Sequence, residues 1–590
     1  MFRRSDGILT NVSKRSACLL ALLFALAPLC GADARPSPPF ATVMHAYLDD
    51  FARMYPVEAD ALGIESGADR LDDVSARGNR KTMDALRAWR TRFAATARRD
   101  DSVDVRVDRT AMLDSIDAAL IEDDMLAPWR TDPGPYVDLL GQSVFVQLAR
   151  EGPPADVRFG HIVARLHGMR AVSDAAIANV QHTTQPAQQL ASAQLDGVLQ
   201  LYAGLPALAV QQGASAAVRA RLAAALPEAQ AAVTAFKTFV DGPLKAHATD
   251  EPRIGPAAYA KLFPLVTGVD LTPPQLEERA RARIALTRAA MLRIAEPMYA
   301  TLFPGKAVTA SAEARTSAIV RAVLDHVAEL HASPVHLLDQ ARADVADNEA
   351  FLRRTGLVAL PVPDTLRVRQ TPAIQAGTLP ASMQTSGPFD PPTEPSYFNV
   401  DPIPSDWNAE RVASYLREND DAGMRMLAIH EAVPGHYVQL RANNLNPSLV
   451  RRIFGNGSFI EGWACYMEGF MMQQGFRPED EGLRLTQLKW RLREATNALL
   501  DAEYHAGSLT HDEAIRLMVD GAFQESSEAE SKWHRLQLSH VQLATYFAGL
   551  DALERAGTDS GLDATTYAAR LLAMGAVEPR AIPALLAAGK

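Results

Sequence analysis

Along most of this chain apolar residues return every three to four positions, the spacing of a helix that buries one stripe. Between 413 and 428, Ala413, Leu416, Met424, Leu427 and Ala428 form one such stripe and predict a helix there. The same pattern predicts helices over 76–98, 157–181, 187–212, 215–240, 275–297, 312–331 and 335–355. Ala, Leu, Arg and Glu, all strong helix formers, fill these segments. No fixed repeat period is present, so a solenoid is not expected. From Leu357 to Pro404 the pattern changes, with Pro, Thr, Ser and Gly punctuating short extended runs such as Leu366-Arg367-Val368 and Tyr397-Phe398-Asn399-Val400. Tyr397, Phe398 and Val400 are too apolar for a solvated linker, so strands are expected. An edge strand near a site could hold an extended peptide by backbone hydrogen bonds. The expected fold is mainly all-α, one large helical unit around a cleft with a minor β and loop insert near 357–404.

Composition adds little to this and removes some alternatives. The 590 residues are 48% hydrophobic and 22% charged, so a large core can be buried and no disordered or collagen-like class is indicated. The net charge of -11 comes from interspersed charges, and no basic stripe with aromatics is visible, which argues against a nucleic-acid partner.

The first 34 residues look like an export signal. Arg3, Arg4, Lys14 and Arg15 precede an apolar run from Ala17 to Leu29, and Ala32-Asp33-Ala34 offers the small residues a signal peptidase requires. The run is too short to span a bilayer comfortably, and no other run approaches spanning length. A periplasmic or secreted protein without stable membrane insertion is therefore expected, with residues 35–590 as the functional unit. Lipidation at Cys30 is less favoured, because Leu29 before it is bulky. Removal of the signal leaves Cys465 alone, so no internal disulfide can form. Cys465 is expected to be a small buried core residue rather than a nucleophile.

The candidate chemistry begins at His430-Glu431-Ala432-Val433-Pro434-Gly435-His436. In H-E-x-x-H enzymes two histidines one helical turn apart bind zinc, and the intervening glutamate is the general base for water. Here the second histidine stands six residues after the first. On a regular helix that step turns by about 240° and would point His436 away. Pro434 and Gly435 permit a bend that brings it back. From spacing alone, a helix end with Pro-Gly as its stop and His436 as a bystander is equally open.

This heptapeptide resembles the signature of bacterial domain-of-unknown-function family 885, whose members are regarded as exported zinc peptidases. Phe459-Ile460-Glu461-Gly462-Trp463-Ala464 resembles a second block of that family, and Leu488 to Arg493 with Asn497, Asp501 and His505 a third. Gln524-Glu525, Lys532-Trp533 and Gln542 to Gly549 resemble the last, and Ala61 to Ile64 and Ser143 to Pro154 are similar to weaker upstream stretches. The likeness covers roughly residues 40 to 555. Many members carry a second histidine directly after the last one of the signature. This chain has Tyr437 there, which leaves His436 as the ligand.

The resemblance, with zinc's preference for imidazole and carboxylate, implies Glu461 as third ligand beside His430 and His436. A helix-capping acid is the alternative role for Glu461. Gly462 could permit close helix approach and Trp463 pack the site wall. Glu468, seven residues on, is expected beside the metal ligands or in a structural ion pair. His505, one turn after Asp501, or Tyr546 would steady an oxyanion, against plain structural roles for both. The reading is thus a Zn2+-dependent peptidase acting on short peptides with Glu431 as base. A zinc-dependent non-peptide amidase or esterase, or a non-catalytic metal-containing envelope binding protein, are the alternatives.

Overall fold

A computed structural model describes residues 38–372 and 380–589. The proposed signal segment 1–34 lies outside the described residues. Among the described residues the chain is mainly helical, with one small sheet. Most predicted helices are present: Ala76–Ala94, Gln185–Gln211, Ala216–Phe239, Pro273–Leu302, Ala312–Val327 and Leu337–Thr355. Among the described residues no single helix is long and apolar enough to cross a membrane.

Two predicted helices are broken. The stretch 157–181 is divided at His167 and Gly168 into Ala155–Leu166 and Met169–Asn179. The stripe over 413–428 belongs to two helices, Ala409–Glu418 and Asp421–Leu427, and not to one. Asp420 causes the second break by accepting the Gly423 N–H at 2.7 Å as an N-cap.

The sheet lies within the predicted insert. Its strands are β1 (Leu366–Gln370), β2 (Ala381–Gln384) and β3 (Ser396–Val400) in the order β1-β3-β2. The central strand runs parallel to β1 and antiparallel to β2, and Phe398 on it is fully buried. Tyr437 ties the insert to the motif: its hydroxyl accepts the Thr365 N–H and donates to Asp364 Oδ1, both at 2.8 Å.

One hydrophobic core packs helices of the first half, among them Gly134–Ala149, Gln185–Gln211 and Ala216–Phe239. The core that matters for chemistry joins the insert to the motif region and includes Phe398, Met426, Ile429, Val433, Phe459 and Trp463. Around it, helices Gly457–Gln473, Glu481–His505 and Gln542–Ser560 pack on one another, and Pro273–Leu302 lies along the second of these.

Candidate metal centre

The motif does not continue as a regular helix. After Asp421–Leu427 the backbone widens into a π turn over Ala428–Ala432, closed by the Val433 N–H on the Ala428 carbonyl at 3.1 Å. Such a turn carries an extra residue and rotates the downstream chain, and these turns occur often at functional sites. Val433 is extended, and helix His436–Asn444 starts directly on the second histidine. Gly435 closes the bend. A Cβ there would stand 1.9 Å from the His430 carbonyl oxygen, so no side chain fits. The Trp463 indole N–H then donates to the Pro434 and Gly435 carbonyls at 3.0 and 3.2 Å, fixing the loop from the adjacent helix.

The bend brings the two imidazoles together, with ring centroids 4.8 Å apart and planes at 89°. Glu461 comes from the fifth position of helix Gly457–Gln473, where Asn456 is the N-cap, so the capping role considered for Glu461 does not arise. Its Oε2 lies 3.7 Å from His430 Nε2 and 3.6 Å from His436 Nε2. Ligating atoms of His430, Glu431 and His436 also lie within 4.8 Å of one another. Donor atoms around a tetrahedral zinc with bonds near 2.0–2.1 Å are separated by about 3.3 Å. The two carboxylate–imidazole separations are thus close to those an ion would need.

Electrostatics favours a cation at the same point. Burial opposes a charge on His430, but Glu461, Glu468 and Glu431 outweigh it and push the imidazole up to about 10. Burial likewise raises Glu461, yet His430 and His436 hold its carboxyl well below the usual range. A pocket that draws a proton so strongly also favours a metal ion. One oxygen each of Glu431 and Glu461 is buried with no hydrogen-bond partner among the described residues. Buried carboxylate oxygens without a hydrogen bond are costly, and a metal would satisfy both. The residues present therefore fit a zinc ion.

Glu468 pairs with His430. His430 Nδ1 and Glu468 Oε1 are 2.8 Å apart in a fully buried contact, which directs Nε2 toward Glu461. Behind Glu468 stand Glu494 and Arg491, and Arg491 in turn bonds Glu554. Burial and Glu468 push the Glu494 carboxyl well up. Cys465 is fully buried beside them, and burial with the neighbouring carboxylates raises its thiol, which is the expected core role rather than that of a nucleophile.

A glycine pair sets the far wall. A Cβ on Gly462 would meet the Gly549 backbone at 2.6 Å, and one on Gly549 would meet the Ser458 carbonyl at 1.7 Å. Only glycine at both positions lets helix Gln542–Ser560 cross helix Gly457–Gln473 this closely. The crossing carries half-buried Tyr546 into the electrostatic reach of Glu461. Its hydroxyl accepts from Arg535 Nη2 at 2.9 Å.

The structure does not bring His505 to this cluster. It ends the helix Glu481–His505, whose Trp490 packs 6.0 Å from the His430 ring. Fifteen residues at 1.5 Å each place His505 about 22 Å farther along the axis. Its Nε2 is held by the Leu536 and Ser539 carbonyls at 3.2 and 2.8 Å, and burial pushes the imidazole down to about 3. Asp501 does not orient the ring: its oxygens accept the Val541 and Ala544 N–H groups at 3.0 and 2.8 Å. The pair anchors the loop before the Tyr546 helix. A cavity of about 840 Å³ opens elsewhere, between Met298, His326, Asp421 and Arg484, and includes no residue of the cluster.

Comparison with known proteins places the chain by family. Residues 56–582 match the family described as bacterial protein of unknown function (DUF885). No curated protein sequence matches. Among solved structures, one titled "putative lipoprotein of unknown function" from Shewanella oneidensis is 26% identical. It superimposes with a TM-score of 0.78 over 93% of this chain and 100% of its own. A second, titled "putative lipoprotein" from Colwellia psychrerythraea, is 16% identical with a TM-score of 0.75 over 93% and 98% and shows the shared fold. The chain belongs to the DUF885 family.

Proposed function

We propose that this member of the DUF885 family is a zinc-dependent peptidase, exported across the inner membrane, that hydrolyses short peptides. One observation carries the reading: buried His430 and His436 lie together, against Glu461 and Glu431, two carboxylates that each keep a buried oxygen without a hydrogen bond. A closed structural site has no use for a general base, whereas Glu431 beside three ligands supplies one. Support for export comes from the signal-like segment ending at Ala34 and from the likeness to proteins titled as lipoproteins.

His430, His436 and Glu461 would hold the metal, with Glu468 fixing the His430 ring. When bound, zinc supplies Lewis acidity to the scissile carbonyl and acidifies water. Glu431 takes the water proton and returns it to the leaving amine. Tyr546 donates to the oxygen that gains charge. Because Arg535 donates into the phenol oxygen, the Tyr546 proton is left to point at the substrate, and burial keeps the hydroxyl protonated at neutral pH. Strand β2 packs against the π turn, where an extended peptide could add along its edge.

The test is a peptide-library digest by the purified protein before and after chelation. Cleavage should vanish on chelation and return with added zinc; no cleavage of any peptide by the zinc-loaded protein defeats the reading. Tyr546→Phe removes only the donor, so turnover should fall about 100-fold with zinc content unchanged. Unchanged turnover would return Tyr546 to a purely structural role.

A further inference from the structure

The cavity of about 840 Å³ that opens apart from the metal centre is walled by helices Pro273–Leu302, Ala312–Val327, Asp421–Leu427 and Glu481–His505. Its volume is that of a small-molecule site, about 300–1,000 Å³. Met298, Val327 and Leu330 give it an apolar wall, and Leu330 is 66% exposed. Several of its charged side chains are already committed. Asp480 Oδ1 accepts the Leu483 N–H at 2.8 Å, Glu481 faces Arg484 at 3.5 Å, and His326 faces Glu329 at 3.2 Å.

Asp421 and Arg425 are not. They line the cavity one turn apart on a single helix, the spacing at which an acid and a following arginine ordinarily pair. Among the described residues they form no ion pair with each other, and the Asp421 carboxylate makes no hydrogen bond or ion pair at all. The Arg425 side chain is only 14% exposed, and its Nε stands 3.1 Å from Asp344 Oδ1 yet is buried without a hydrogen bond. Its two terminal nitrogens have no partner among the described residues either. A guanidinium carries five donors, and leaving a largely buried one unbonded is costly. Arg293, exposed on the same cavity, is likewise without a hydrogen bond or ion pair among the described residues. Charge is therefore balanced here, Asp344 and Asp421 against Arg425 and Arg293. What the cavity lacks is an acceptor for Arg425 and a donor for Asp421.

We propose that this cavity binds a free α-amino acid with an apolar side chain, its carboxylate on Arg425 and its ammonium on Asp421. The site does not depend on the peptidase reading. A guanidinium fork takes a carboxylate bidentately, and an ammonium offers the donors that Asp421 is without. A simple anion or a simple cation would leave one of the two side chains unmet. Side chains one helical turn apart have Cβ atoms about 5–6 Å from each other, a span that the two charged groups on one α-carbon can bridge. The ends of an extended peptide move apart by about 3.4 Å with each further residue, so a single amino acid fits the pair better than a longer chain. The wall of Met298, Val327 and Leu330 takes the apolar side chain.

Calorimetric titration of the purified protein compares L-leucine and L-phenylalanine with glycine, N-acetyl-leucine, leucinamide and leucyl-leucine. Leucine and phenylalanine should bind. Acetyl-leucine and leucinamide each lack one charge and should bind about 10- to 100-fold more weakly, the worth of a charged hydrogen bond. Glycine should also be weaker, because it brings nothing to the apolar wall. Asp421→Asn should erase the penalty on acetyl-leucine with the melting temperature unchanged, and Arg425→Gln, the second variant, the penalty on leucinamide. Leucine should bind equally well after chelation; loss of binding there puts the ligand on the metal centre and overturns the cavity site. No saturable binding of leucine or phenylalanine at about 10 mM, equal binding of leucine and its blocked forms, or unchanged binding in both variants overturns it as well. Glycine bound as tightly as leucine overturns the apolar preference, and tighter binding of leucyl-leucine overturns the assignment to a single amino acid.

Discussion

Replacing Glu431 by glutamine should lower hydrolysis by up to about 10,000-fold while zinc content and thermal unfolding stay as in the wild type. The reason is positional. Glu431 follows His430 on the π turn, close to both imidazoles, yet one of its oxygens is buried with no hydrogen-bond partner. Glutamine keeps the shape and one acceptor but cannot take a proton, so water activation is lost and little else changes. Elemental analysis and a melting curve beside the peptide assay make the measurement. A variant that keeps its activity removes Glu431 from the base role.

Glu461→Gln should fail differently. Glu461 faces both histidines at 3.6 and 3.7 Å, and its carboxyl is held ionised by them. Neutralising it removes a negative charge that faces both His430 and His436. Partners one layer farther from a metal already cost about 10- to 100-fold in affinity when lost, so a first ligand should cost more than about 100-fold. The dialysed variant should hold little zinc and regain activity when zinc is supplied in excess. Zinc retention equal to wild type after dialysis against chelator would show that Glu461 is not a ligand. The two substitutions change the same functional group a few ångströms apart, so their contrast separates proton transfer from coordination.

Tyr437 occupies the place where the resembled family often has another histidine. It is buried, and its hydroxyl is committed to Thr365 and Asp364 of the insert. That commitment holds its hydroxyl on the insert, while His436 faces Glu461.

What the sequence determined by itself was local. Helical periodicity and strong helix formers gave the all-α class, and the apolar Tyr397-Phe398-Asn399-Val400 run marked β3 because a buried strand must be apolar. Adjacent His430 and Glu431, with Pro434-Gly435 before His436, were legible because the bend is made by the backbone preferences of those very residues. Tertiary structure decided the rest. The π turn is a choice between hydrogen-bond registers that packing makes, and no residue of Ala428–Ala432 announces it. Asp501 and His505 looked like an orienting pair from their one-turn spacing, but Asp501 spends its oxygens on the start of the next helix and its distance along the axis keeps His505 from the cluster. Short-range spacing encodes which atoms a segment can offer; the crossing of distant helices decides which of those atoms meet, because it depends on every side chain packed between them.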